Sequence, residues 1–104
     1  MGEFITFKRW ALKEGQAEAD LVALIQNEIM PHYAKLTGVH KLELLHIDGT
    51  RSYLATQHWE SRAVRETVVS SAFYQEWFKA YEPTLVRWDE LMIFEDEWET
   101  ERIL

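Results

Sequence analysis

Two histidines and a tryptophan are the residues of this sequence best suited to chemistry. His46 lies at the end of a leucine-rich stretch, and His58 directly precedes Trp59. Imidazole titrates near neutral pH, so a histidine can serve as a general base or share a proton with a second histidine. An indole can lie flat against a planar substrate while its N–H donates a hydrogen bond. These three residues are therefore our catalytic candidates.

Two histidines would face each other if the turn between their strands had three residues. Residues 48–50 (Asp-Gly-Thr) have turn composition, and Ile47 would then pair with Arg51. That register places His40 opposite His58, with Cβ atoms about 4.5–5.5 Å apart. The pair could share a proton or bind a metal, but no carboxylate shares its row, so we predict no metal site. A two-residue turn would send the imidazoles to opposite faces, and ordinary hydrogen-bonded residues are the competing interpretation.

Aromatic side chains make up 13% of the chain, and five of them are tryptophans. Trp59 is either a core residue at a strand end or the border of a ligand cavity. In both cases we expect its indole between the sheet and the helices. The other tryptophans are typical core residues, although several of them, Trp10 included, could converge on an apolar cavity. Tyr53 and Arg9 are further acid–base candidates.

The segments that position these residues differ in the spacing of their apolar residues along the chain. Residues that alternate or favour β structure define four strands: 4–12, 39–47, 51–60 and 91–98. Apolar residues at helical spacing define two helices, one over residues 17–36 and one that starts at Ser61 and runs through Tyr81.

Prolines and serines mark the limits of these helices. Pro31 cannot donate a backbone hydrogen bond, so we expect a kink or a broken last turn before Gly38 caps the first helix. Ser61 can cap the second helix, and residues 70–71 predict a break or a second cap within it. Pro83 is expected to end or bend that helix.

The order of these elements is β-α-β-β-α-β. It predicts an α+β fold of the ferredoxin-like type, an antiparallel sheet with both helices on one face. Strands 39–47 and 51–60 carry apolar residues on both sides, although a sheet facing water should have one polar side. The simplest cover for the second face is the same sheet of another copy. We therefore expect a homodimer.

Composition excludes several functional classes. The length of 104 residues predicts a single domain over residues 1–104. The chain has no cysteine, and it has no apolar run of about 20 residues that could span a membrane. A net charge of −7 opposes binding to nucleic acid. Residues 1–10 lack a basic segment followed by an apolar one, so we expect no signal peptide and a cytoplasmic protein.

A short motif and two turn positions carry a resemblance. Residues 58–61 (His-Trp-Glu-Ser) lead into the second helix, residues 14–15 (Glu-Gly) follow the first strand, and Pro31 precedes Gly38 by seven residues. Together they resemble the antibiotic biosynthesis monooxygenase family over about residues 4–98. The resemblance implies a dimeric α+β barrel with a cavity between the sheet and the helices. Some members oxidise polycyclic phenols with O₂ and no metal or flavin, some degrade haem, and some isomerise small phosphorylated signalling molecules.

Two subgroups of that family can be compared residue by residue. The haem-degrading members carry Asn, Trp and a haem-binding His at positions that align with Lys8, Val68 and Trp77. No histidine follows His58, so the second helix cannot supply a haem ligand, and we expect no cofactor.

The quinone-forming oxidases carry Asn, Trp, Tyr and Arg where this chain has Ala55, Trp59, Arg65 and about Lys79. Trp59 is kept and Lys79 retains a positive charge, whereas the Asn and the Tyr are lost. We take as expected substrate contacts Trp10, Tyr53, Trp59, Arg65 and Lys79.

Two functions remain open at this point. One is a cofactor-independent monooxygenase that acts on a small aromatic or polycyclic molecule. The other is a non-catalytic dimeric protein that binds a small ligand or has a structural role. The lost Asn and Tyr favour the second function, and the surplus of Trp and Tyr favours the first. A cavity of about 300 Å³ or more with convergent polar groups would favour the enzyme.

Overall fold

The computed structural model describes residues 2–104, which form a four-stranded antiparallel sheet of strand order β2-β3-β1-β4. The strands are β1 Phe4–Leu12, β2 Val39–His46, β3 Ser52–Trp59 and β4 Met92–Glu101. The helical segments are α1 Glu18–Leu24, a π-helical segment Ile25–Ile29, α2 Met30–Tyr33, α3 Arg62–Val69 and α4 Ala72–Leu91. The predicted β-α-β-β-α-β order and the ferredoxin-like α+β fold are confirmed.

The first helical region is interrupted before its proline. Pro31 has no N–H to donate to the carbonyl of Asn27, so a regular α-helical turn cannot close there. The preceding turn widens into the π-helical segment Ile25–Ile29, and α2 then starts with Pro31 in its first turn. The predicted kink is thus a widened turn, and it places Ile29 against the core, where it is buried.

The second helical region is divided by two serine caps, as the sequence predicts. The Ser61 hydroxyl accepts a hydrogen bond from the Val64 N–H at 3.1 Å and starts α3. The Ser71 hydroxyl accepts one from the Tyr74 N–H at 3.1 Å and starts α4. Each cap satisfies a donor that the first helical turn would otherwise leave unpaired.

Pro83 does not end α4, so that part of the prediction is wrong. The helix continues to Leu91, beyond the proline. Thr84 and Trp88 are buried on this last stretch. Burial of apolar surface stabilises such a continuation and outweighs the one hydrogen bond that proline removes.

The register of the β2–β3 hairpin differs from the predicted one. The Ile47 N–H donates to the Ser52 carbonyl at 2.9 Å, so the loop comprises residues 48–51, one more than assumed. Lys41 therefore lies opposite His58, and His40 falls in an irregularity between Val39 and Lys41. The predicted facing pair of histidines is wrong, because one added loop residue shifts every partner on the strand.

The two faces of the sheet have different surroundings. Alternate residues of β3, among them Ala55, Gln57 and Trp59, face the helices. The opposite face, which we call the open face, carries His58 and the apolar side chains Ile5, Phe7, Leu45, Leu54, Ile93 and Trp98. Leu45, Ile93 and Trp98 are 45%, 53% and 40% exposed. Both faces therefore carry apolar residues, as the sequence predicts. Within residues 2–104, no helix is long and apolar enough to cross a bilayer.

Candidate functional site

A cavity lies between the helix-covered face of the sheet and the helices. It has two adjoining parts with volumes of about 740 Å³ and about 190 Å³. We call the larger the polar lobe and the smaller the apolar lobe. Five residues line both lobes: Lys8, Tyr33, Gln57, Tyr81 and Leu85. The total space is in the range that holds a small organic ligand.

Trp59 forms part of the wall of the polar lobe, and its indole lies in the sheet–helix layer as expected. The residue is 2% exposed. Its Nε1–H donates to Oε1 of Gln57 at 3.1 Å, and Nε2 of Gln57 donates to the Tyr33 hydroxyl oxygen at 3.0 Å. An indole can only donate, so it fixes the Gln57 amide with its oxygen toward Trp59 and its NH₂ toward Tyr33.

The direction of the hydrogen bonds that run from Trp59 through Gln57 leaves the Tyr33 hydroxyl as a donor toward the cavity. Its oxygen accepts from Gln57, so its own proton can go to the neighbouring Tyr81 hydroxyl or to an acceptor atom of a ligand. Burial raises the pKa of Tyr33, so the phenol stays protonated at neutral pH. Burial likewise raises the pKa of Tyr81 to about 12. The tyrosines of this wall therefore act as neutral hydrogen-bond donors.

Stacked rings hold Tyr33 in place. The His32 ring stacks on Trp77 with centroids 4.5 Å apart and on Tyr81 at 5.2 Å. The Trp77 indole N–H donates to the His32 carbonyl at 2.8 Å, and Nε2–H of His32 donates to the Trp77 carbonyl at 2.8 Å. Tyr33 packs edge-on against Trp77 at 4.9 Å. These contacts fix α2 against α4, which makes the aromatic wall rigid.

Basic side chains of α3 lie over the polar lobe in two different states. Arg62 pairs with Glu99 at 3.4 Å and with Glu101 at 3.1 Å, and its guanidinium lies over the Phe4 ring at 4.5 Å. Arg65 also lines the lobe, but its Nε is buried and has no hydrogen-bond partner within residues 2–104.

The apolar lobe is built from aliphatic and indole side chains. Its lining includes Ile25 and Ile29 of the π-helical segment, Leu44 of β2, and the rings of Trp10 and Trp88. Trp10 meets Trp88 edge-on with centroids 5.3 Å apart. This lobe can take an apolar part of a ligand, beside the polar residues that it shares with the polar lobe.

Of the substrate contacts expected from the sequence, Trp10, Trp59 and Arg65 line the cavity. Tyr53 is buried outside both lobes, where its hydroxyl donates to Glu18 at 2.7 Å. The Lys79 side chain is 70% exposed and pairs with Glu76 of the same helix. Lys79 therefore does not line the cavity, although the sequence aligns it with a cavity residue of the oxidases.

Neither histidine among the catalytic candidates lines the cavity. His58 follows Gln57 on the same strand and so faces the open face, since side chains alternate along a strand. There its Nε2 contacts Glu43 at 2.7 Å and its Nδ1 lies 3.4 Å from Glu3. His46 is exposed at the end of β2, and its Nε2–H donates to the Thr50 carbonyl at 2.7 Å. Arg9 pairs with Glu95 at 3.0 Å.

Gln57 and Tyr74 are cavity residues that sequence reasoning missed. Gln57 could have been found, because it lies two residues before Trp59 and shares its face of the strand. The exact position of Tyr33 depends on the π-helical segment, which the sequence did not predict. No group of three or more potential metal ligands is present within residues 2–104, and no histidine lines either lobe.

Comparison with known proteins relates this arrangement to solved structures. No protein-family model and no curated protein sequence matches the chain. SnoaB, a cofactor-independent oxygenase from Streptomyces nogalater, superposes with a TM-score of 0.72 at 14% identity, covering 100% of this chain and 96% of that one.

Two further structures agree with this result. A proposed antibiotic biosynthesis monooxygenase from Bordetella bronchiseptica gives a TM-score of 0.65 at 20% identity, covering 100% of both chains. The NE2512 protein of unknown function from Nitrosomonas europaea gives 0.66 at 16% identity, covering 100% of this chain and 92% of that one. At these identities the likeness is one of fold. The resemblance expected from the sequence is confirmed at that level: the chain has the α+β fold of the antibiotic biosynthesis monooxygenases.

Proposed function

We propose that this protein is a cofactor-independent monooxygenase that oxidises a small phenolic aromatic molecule bound between the sheet and the helices. The observation that carries the proposal is the cavity, whose polar lobe alone measures about 740 Å³. That is well above the roughly 300 Å³ at the lower end of ligand sites. Indole, phenol, amide and guanidinium groups converge on it, whereas a structural protein of this fold would have this layer closed.

The reaction class needs an electron-rich substrate and little acid–base machinery. A ring CH₂ group that is conjugated with a phenol loses its two hydrogens and gains one oxygen atom, and the second oxygen atom leaves as water. All four electrons that reduce O₂ come from the substrate, so the balance requires no external reductant. The role of the protein is then to favour the phenolate form of the substrate and to exclude water.

The residues assigned to this role differ from the histidines expected first. Trp59 provides a planar wall for the ring system. The Tyr33 hydroxyl is oriented by Gln57 to donate to the phenol oxygen of the substrate, where negative charge develops when that phenol is deprotonated. The Lys8 ammonium, which lines both lobes, favours an anionic substrate oxygen. His46 and His58 have no part in this mechanism.

We further infer that two copies associate through the open face. Leu45, Ile93 and Trp98 are half-exposed there, and Phe7 stacks on Trp98 with centroids 5.6 Å apart. An apolar sheet face of this kind is typical of an interface. Sedimentation at micromolar concentration should give about twice the chain mass of 12.4 kDa. A folded species that sediments as a single chain would contradict this inference.

A non-catalytic protein that binds a small ligand is the alternative. It is favoured by Ala55, which stands where the quinone-forming oxidases have Asn, and by the absence of a histidine from the cavity walls. Such a protein would bind a planar aromatic ligand in the same cavity and leave it unchanged.

Oxygen uptake with 1,8-dihydroxyanthrone, a tricyclic phenol, tests the proposal. We expect uptake of O₂ and formation of the quinone, both well above the rate without protein. Tyr33→Phe removes one hydroxyl facing the cavity and should lower kcat at least about tenfold. Tyr53→Phe, which removes a hydroxyl bonded to Glu18 outside the cavity, is the matched control and should retain the rate. Binding of the anthrone without O₂ uptake would establish the alternative function instead.

A further inference from the structure

Arg65 has a charge that the folded chain leaves without a partner. Its Nε is buried and makes no hydrogen bond within residues 2–104. A buried charged donor without a partner is unfavourable, so it is normally paired or shifted toward water. Arg62, one turn earlier on α3, is paired with two carboxylates of β4. Arg62 is exposed, whereas Arg65 is half-buried and has no carboxylate partner within residues 2–104, so a partner from outside the chain would satisfy it.

The Arg65 guanidinium faces the interior of the polar lobe. It lies 5.9 Å from the centre of the Phe4 ring and lines the lobe together with Trp59 and Tyr74. Burial raises the pKa of Tyr74 and of Tyr33, and the positive charge of Arg65 partly offsets both shifts. The charge of Arg65 therefore acts on the two tyrosines that would surround a ligand.

Three cations and two carboxylates line the polar lobe. The cations are Lys8, Arg62 and Arg65, and the carboxylates are Glu97 and Glu99. Arg62 is paired with Glu99 and also with Glu101, and Glu97 lies opposite Lys8 in the β1–β4 register without forming an ion pair with it. Arg65 has no carboxylate partner within residues 2–104, although the whole chain carries a net charge of −7. An unpaired guanidinium in the wall of a pocket favours an anionic group of a ligand.

We propose that Arg65 binds a carboxylate group of the ligand, which is an amphipathic aromatic acid. The proposal rests on the proposed function in taking the ligand to be the substrate of the same cavity. The planar guanidinium matches the two oxygens of a carboxylate, whereas a phenolate offers only one. A phosphate monoester would place close to two negative charges on the single guanidinium of Arg65.

The shape of the cavity orients such an acid. Its carboxylate lies at Arg65 in the polar lobe, and its rings lie against Trp59 and Tyr33. Its apolar end extends past Leu85 into the apolar lobe beside Trp10. The acid is therefore bound with its charge at α3 and its apolar end at the π-helical segment.

Binding of two matched probes tests this assignment. Anthraquinone-2-carboxylate and anthraquinone-2-carboxamide share one ring system, differ in charge, and lack the CH₂ group that the proposed reaction oxidises. Quenching of tryptophan fluorescence gives both dissociation constants. The carboxylate should bind at least about tenfold more tightly, a difference of about 1.4 kcal/mol. Equal binding of the two probes, or no binding of either at about 1 mM, would overturn the proposal.

Variants of Arg65 show whether the preference arises there. Arg65→Gln should bring the two dissociation constants within about twofold of each other. Arg65→Lys keeps the charge without the planar fork, so it should retain part of the preference, and it serves as the test if Arg65→Gln does not fold. Arg87→Gln is the matched control, because Arg87 lies on α4 outside both lobes, paired with Glu28. A carboxylate preference that survives in Arg65→Gln would refute the assignment.

The two proposals can fail separately. If the carboxylate preference depends on Arg65 and no anthrone is oxidised, the ligand assignment stands and the monooxygenase function is wrong. If the anthrone is oxidised and the two probes bind equally, the function stands and the role of Arg65 is wrong.

Discussion

Replacing Glu43 by Gln should destabilise the protein in a pH-dependent way. The carboxylate lies on the open face and accepts hydrogen bonds from His58 at 2.7 Å, Lys41 at 3.1 Å and Thr56 at 3.0 Å. The hydrogen bonds from His58 and Lys41, assisted by Thr56, outweigh burial and lower the pKa of Glu43 from 4.5 to about 2. Glu43→Gln keeps the shape of the side chain and removes its charge.

The size of the effect can be bounded from this pKa. The difference between 4.5 and about 2 corresponds to at most roughly 3–4 kcal/mol of folding free energy. Because the Glu43 side chain is 28% exposed, solvent screening reduces this to about 1–2 kcal/mol. A carboxylate with a lowered folded-state pKa stabilises the fold above its unfolded pKa, and this contribution is lost as pH falls through the folded pKa. The loss in free energy of unfolding that Glu43→Gln shows relative to wild type should therefore be greatest at pH 7 and decrease between about pH 5 and 2.

Urea unfolding of wild type and Glu43→Gln at pH 7 and pH 3, at one protein concentration, measures this difference. We expect the deficit at pH 3 to be less than half of that at pH 7. Glu82→Gln, at an exposed glutamate of α4, is the control and should unfold like the wild type at both values. Equal stability of Glu43→Gln and wild type at pH 7, or a deficit that stays constant down to pH 3, would refute the reasoning.

Three further outcomes are expected. Trp59→Ala should lower the free energy of unfolding, measured in urea, by about 3 kcal/mol. This is the low end for a buried Trp, because one side of the ring already borders a cavity. A loss below about 1 kcal/mol would contradict the burial of Trp59. Ser61→Ala should cost about 1 kcal/mol in the same assay through the lost cap on Val64, and an unchanged midpoint would show that α3 does not depend on it. Titration with hemin should give no Soret band ligated from α3 or α4, since these helices carry no histidine, so any histidine-ligated band should be lost on replacing one of the four histidines. A stoichiometric band of that kind that persists when each histidine is replaced in turn would contradict the alignment.

The sequence predicted most of the fold because its signals are local. Alternation placed β1 at Phe4–Leu12, and the two serines placed the starts of α3 and α4. Each of these signals depends on neighbours within a few residues. Pro83 is the exception: its effect on α4 is set by the burial of Trp88, which depends on tertiary packing.

The candidate site could be predicted only in part, because it depends on register and on packing between helices. One extra residue in the hairpin loop put Lys41, and not His40, opposite His58. The π-helical segment Ile25–Ile29, which no sequence pattern indicated, sets the position of Tyr33. Trp59 and Arg65 both line the polar lobe, and local signals position them: Trp59 is the last residue of β3, and Arg65 lies one turn after the Ser61 cap.

The hydrogen-bond chain from Trp59 through Gln57 to Tyr33 constrains how this sequence can change during evolution. The orientation of the Gln57 amide is imposed by an indole that can only donate. If Phe replaced Trp59, the amide could rotate by half a turn and present its oxygen to Tyr33, whose proton would then point away from the cavity. The direction of one hydroxyl thus depends on a residue it does not touch. Substitutions at Trp59 and Gln57 should therefore occur together among homologues that keep the hydroxyl as a donor.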